Sequence, residues 1–129
     1  MKKTEFYTVR DKTTQFTTYD DMAEIVAYLE SKGNFHDGTV EAIGHDEEST
    51  TIGFKHYSDP EYTIHRLIFT GNVELRLNVD LLVRSIYEIQ CETGERVNVF
   101  FDGVGIEITA NHVILRVQEL ITQEKSPPS

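Results

Sequence analysis

Two His-Asp dipeptides, His36-Asp37 and His45-Asp46, are the residues of this chain with the clearest chemical capacity. An imidazole titrates near neutrality, and a nearby carboxylate can orient it or share a divalent cation with it. His56 and His65 could join them from neighbouring strands. One reading is therefore a small metal-dependent or ligand-binding enzyme using His36, Asp37 and either His45 or His56. Strand geometry opposes it, because adjacent residues of a strand point to opposite faces and cannot both chelate one ion. No metal, no cofactor and no catalytic residue is assigned.

The segment Gly33-Asn34-Phe35-His36-Asp37-Gly38 also has a structural reading. Phe35 would anchor a helix exit in the core, and Asp37 would accept backbone N–H groups as the chain turns. Gly38 would take a backbone angle that other residues avoid. Cys91 is the single cysteine, which excludes an intramolecular disulfide or a multi-cysteine zinc site. A free cysteine of this kind is expected as a small buried hydrophobe. Asp102-Gly103-Val104-Gly105 has no Lys and leads into a strand, so it reads as a hairpin turn and not a phosphate loop. Tyr57, Tyr62, Tyr87, Phe100 and Phe101 are core residues or a binding patch. Phe100 and Phe101 are adjacent, so one faces inward and the other outward.

The elements that must position these groups are legible from periodicity. Met22, Ile25, Val26 and Leu29 follow the i, i+3, i+4, i+7 pattern of one amphipathic helix over 19–32. Thr18 is the expected cap, Asp20 and Asp21 suit the first turn, and Gly33 supplies the left-handed residue that ends it. Before it, 5–10 and 13–17 read as a hairpin turning at Asp11-Lys12. After Gly38 the period becomes two. Strands are expected at 39–45, 50–57, 62–70, 73–79, 96–101, 105–110 and 112–118, while 80–90 suits either a short helix (Leu81, Leu82, Ile86, Ile89) or, as preferred, an irregular entry to a strand at 86–91. Tyr62 and Ile64 lead the apolar side of the 62–70 strand, and 73–79 is the cleanest alternation. The turns fall at 46–49, 58–61, 92–95, Asp102-Gly103 and Ala110-Asn111.

The expected fold is α+β and mainly β. Eight to nine short strands form an antiparallel sandwich or partly open barrel, with one helix near the N-terminus. Residues 1–118 form a single domain, and 119–129 is a polar tail expected to be disordered. At 129 residues the chain can bury a core without a metal or disulfide staple.

Charge narrows the partners. The formal net charge is −10, which argues against a nucleic-acid binder that tracks phosphates. No Lys or Arg occurs between Lys32 and Lys55, a stretch that carries Asp37, Glu41, Asp46, Glu47 and Glu48. These five carboxylates are the expected binding surface, and a basic protein is the expected partner. A homodimer through an edge strand is a further possibility. The two N-terminal lysines precede no apolar run, and no stretch has the length of a membrane helix, so a cytoplasmic protein is expected.

Asn34-Phe35-His36-Asp37-Gly38 precedes alternating strands, with 105–110 and 113–117 near the end. Across 34–118 this pattern resembles a group of small bacterial proteins of unknown function. Some relatives with a similar Phe-His-Asp opening look like immunity proteins of polymorphic toxin systems. The resemblance carries over no catalytic residue; the acidic surface, the small size and the lack of a coherent catalytic set point to a non-enzymatic protein-binding module, of which an immunity-like protein is one version.

Overall fold

The structure, a computed structural model, describes residues 2–10, 12–58, 61–78 and 85–121. Its elements are β1 (Lys2–Val9), β2 (Lys12–Tyr19), α1 (Met22–Ser31), β3 (Thr39–His45), β4 (Ser49–Ser58) and β5 (Glu61–Thr70). Then follow β6 (Glu74–Leu77), β7 (Glu88–Glu92), β8 (Val97–Asp102), β9 (Ile106–Ala110) and β10 (His112–Ile121). Two sheets result, one of six strands in the order β1-β2-β10-β5-β4-β3 and one of four in the order β6-β9-β8-β7. Every pairing is antiparallel, and neither sheet closes into a barrel.

Alternation builds the core. Ile52, Phe54, Leu67, Phe69 and Leu115 point inward from the larger sheet, and Val99, Phe101, Ile106 and Ile108 from the smaller one. Helix α1 adds Ile25 and Leu29, the centre of its apolar stripe. Burying each such side chain stabilises the fold by about 1.5–3 kcal/mol. Among the described residues no helix is long and apolar enough to cross a membrane.

The helix begins later than its sequence implies. Thr18 stays in β2, and Asp21 is the cap, accepting the Ala23 N–H at 2.8 Å. The reason is strand pairing: Thr18 is held between Lys3 and Arg116 in register. In β5 the phase is opposite to that led by Ile64, since His65, Leu67 and Phe69 are the buried residues. Each phase of residues 64–69 carries two apolar residues and one polar one (Ile64 and Ile68 with Arg66, Leu67 and Phe69 with His65), so alternation alone does not choose a face. The strand expected over 73–79 is cut to four residues at a sheet edge, where Leu77 is 53% exposed. The polar tail loses its first three residues to β10, which continues to Ile121. The remainder of the tail (122–129), the last residue of the expected 73–79 strand, residues 80–84 of the irregular stretch and Asp59-Pro60 in the turn lie outside the described residues.

Tight turns do not always join paired strands here. The chain leaves the larger sheet at Gly71-Asn72 and returns to it at Asn111. These two crossings touch: the Asn111 N–H donates to the Gly71 carbonyl at 2.8 Å. Gly71 has φ +80, and a Cβ placed on it would lie 2.8 Å from Asn111 Cβ. The Ala110-Asn111 turn therefore connects sheets rather than closing a hairpin.

Candidate functional site

The junction after α1 is built by unusual backbone angles. Gly33, Asn34 and Phe35 have φ of 63, 53 and 56, and Asp37 has φ 69. Positive φ at a non-glycine residue costs about 1 kcal/mol, and here the strain is offset by burial of Phe35. Its ring packs 5.0 Å from Phe54, 4.4 Å from His65 and 5.4 Å from His56. Phe35 thus anchors the helix exit as expected. The roles of its neighbours differ from expectation. The left-handed angle falls on Asp37, while Gly38 is needed for space, since a Cβ there would lie 3.0 Å from the Phe35 carbonyl oxygen. Asp37 is tied by its backbone, its N–H donating to the Ile86 carbonyl at 2.9 Å, and the Ile86 N–H returns a bond to Gly38 at 2.7 Å.

His36 and Asp37 are both exposed. Their side chains approach to 3.7 Å, and His36 Nδ1 lies 2.8 Å from the Tyr87 carbonyl, with its ring edge-on to Tyr87 at 5.2 Å. His45 sits at the other end of β3, bonded through Nδ1 to Thr50 Oγ1 at 2.6 Å. Six strand steps separate Thr39 from His45, roughly 20 Å. The two His-Asp pairs are therefore not brought together. Among the described residues no three His, Cys, Asp or Glu groups converge on a position that could hold a metal ion.

The acidic stretch divides along the same line. Asp37 stays at the junction, while residues 41–48 form one continuously exposed edge and hairpin tip. Asp46 shapes that tip. Its carboxylate accepts the N–H groups of Glu48 and Ser49, each at 2.8 Å, and its own N–H donates to the Ser49 carbonyl at 2.9 Å. Those two N–H donors hold its carboxyl below the usual range. Glu41 stands at a bulge in β3 and pairs with Lys55 at 3.0 Å. Glu47 and Glu48 are exposed at the tip, and Ile43, further along β3, is 44% exposed.

His65, expected as a candidate partner of the His-Asp pairs, is instead paired in the core with Tyr28, a residue that sequence reasoning did not single out. His65 is fully buried, with Nε2 3.0 Å from the Tyr28 hydroxyl and 3.4 Å from Thr63 Oγ1. Its ring stacks on Phe54 at 5.1 Å, and Nδ1 has no partner among the described atoms. Burial, helped by the nearby His56 and Lys32, pushes the imidazole down to about 3, so it is neutral at physiological pH. Burial also raises the Tyr28 phenol above its ordinary value.

Cys91 lines a small cavity with Leu29, Asn34 and Ile89, and burial pushes its thiol up to about 11. It is protonated at neutral pH, as a packing residue should be. Phe101 is buried and Phe100 is half-exposed on the outside of the smaller sheet, among Glu107, Gln90 and Glu92. Tyr87 is exposed, and the side chains of Tyr57 and Tyr62 lie outside the described set. No family model, no curated protein and no solved structure matches the chain.

Proposed function

We propose that the chain is a non-enzymatic protein-binding module whose acidic β3–β4 edge receives a basic protein. The observation that carries this reading is the hairpin tip itself. Asp46 is consumed in fixing the turn, which leaves Glu47 and Glu48 presented at an exposed, hydrogen-bonded tip. A pre-ordered acidic edge loses little entropy on binding, and its charge speeds encounter with a cationic surface. The resemblance to immunity-like proteins suggests one such partner, a toxin with a basic cleft. Asp37 stands apart from this surface and is assigned to the fold.

The test is affinity capture from the cells of origin with wild type and with E47K/E48K. A basic protein held by wild type, lost by the variant and released by salt supports the reading. Recovery of the same partner by both forms overturns it.

A second association is favoured by the opposite edge. β1 is an eight-residue edge strand with Phe6 60% and Val9 71% exposed, features that invite strand pairing with a second copy. Sedimentation at two concentrations, with F6K as the control, decides whether a dimer forms there.

A further inference from the structure

The outer face of the six-stranded sheet has a charge character opposite to that of the whole chain. Register places Lys3, Lys12, Lys55, Arg66 and Arg116 on it, against Glu5 and Glu41. Five of the twelve Lys and Arg residues thus share one face of a protein with net charge −10. At its centre Arg66 and Arg116 stand directly opposite each other on the neighbouring strands β5 and β10. Like charges in that position repel and destabilise a sheet.

Reading across the strands, the row runs Gly53, Arg66, Arg116, Thr18, Lys3, with no carboxylate. Glu5, on the same face, interacts electrostatically with Arg116 but is paired with Lys3 at 3.2 Å. Arg66 donates to Gln118 Oε1 at 3.2 Å, and the Arg116 guanidinium covers the Phe16 ring at 4.5 Å. Neither arginine forms an ion pair among the described residues, and Arg116 Nε is buried without an acceptor. Ile64 and Ile68 flank Arg66, Ile114 flanks Arg116, and all three are only partly buried.

We infer that this face docks an acidic protein segment, with its carboxylates received by the Arg66–Arg116 pair and its apolar residues by the isoleucines. Guanidinium groups bind carboxylates through two parallel N–H donors, and two side by side complement a segment that alternates acidic and apolar side chains. A nucleic acid fits less well. The neighbours of the arginines are aliphatic, and the ring face of Phe16 is already covered by Arg116, so bases have no platform to stack on. The site is separate from the acidic β3–β4 tip and takes the opposite charge.

The probe is a short fluorescein-labelled peptide alternating Glu and Leu, with binding read by fluorescence anisotropy. Wild type should bind it, more weakly as salt rises. R66Q/R116Q should weaken binding roughly tenfold or more, while melting at or above the wild-type temperature because a repulsion is removed. E47K/E48K should bind as wild type does. If R66Q/R116Q melts lower, R66K/R116K decides the matter, since it keeps charge and loses the fork. Reduced affinity in that folded variant supports the proposal, and full affinity overturns it. Absence of binding by wild type, equal binding by R66Q/R116Q, or tighter binding of a single-stranded oligonucleotide also overturns it. So does self-association of the free protein that the same variants abolish, which would assign the face to a second copy.

Discussion

The Tyr28 hydroxyl and His65 Nε2, 37 positions apart in the chain, meet at 3.0 Å inside an aromatic cluster. Tyr28 also lies against Tyr19 and Phe35, and His65 against Phe35 and Phe54. This contact ties α1 to the centre of the larger sheet. It also buries an imidazole in a place that only its neutral form tolerates.

Acid should therefore weaken the fold through His65. Its folded value of about 3 lies below the ordinary 6.5. Between these values the unfolded chain binds a proton that the folded chain refuses. The His65 contribution is complete above the unfolded value and declines as pH falls toward the folded one. At pH 5 the loss is about 2 kcal/mol relative to pH 7. Urea unfolding at both pH values checks this, with H65F expected to show a clearly flatter dependence. An equal slope in H65F would mean that another group titrates.

Tyr28→Phe keeps the ring packing and removes the closer of the two hydroxyls at His65 Nε2, leaving only Thr63 Oγ1 at 3.4 Å. A buried acceptor or donor left unmet costs about 1–3 kcal/mol, so the variant should unfold at lower denaturant with an unchanged slope. Its far-ultraviolet circular dichroism should remain that of the native fold.

Two substitutions at Asp37 separate backbone from carboxylate. Both D37A and D37G delete the acid, but only alanine is strained at φ 69. D37A should cost about 0.5–1 kcal/mol relative to D37G. Equal losses in thermal melts would instead assign the effect to the carboxylate.

At the corner where the sheets exchange strands, Gly71→Ala should cost about 2–4 kcal/mol. The added Cβ meets Asn111 Cβ at 2.8 Å, and φ is +80. G71A/N111G removes the collision and leaves the strain, so it should recover part of the loss. Denaturant midpoints of the two variants report the difference.

The acidic tip separates into a structural residue and presented ones. D46A removes the acceptor of two N–H groups and should lower the melting temperature, whereas E47K/E48K should leave it close to wild type. The Asp46 carboxyl is held below its usual range, so its contribution is present above the unfolded value and fades as pH drops through the folded one. A D46A melt that matches wild type across that window would contradict the assignment.

Local rules determined much of this protein in advance. The period-3.6 stripe of Ile25 and Leu29, the left-handed angle at Gly33, the bounds of β3 and the turn at Asp102-Gly103 are all set by neighbours in sequence, and these were legible. So was the mainly β, antiparallel architecture with one helix, because strand spacing and turn chemistry are short-range properties. Tertiary structure decided what depends on register and layer. The choice of Thr18 as strand rather than cap, the inward phase of His65, and the passage between sheets at Gly71 and Asn111 follow from pairings of distant segments. The same holds for the sites. Sequence identified the acidic run, but it could not separate Asp37 from the tip at Glu47 and Glu48, since both ends of a strand look alike in one dimension. Nor could it place Arg66 opposite Arg116, because a slip of one residue in β10 would turn every side chain to the other face.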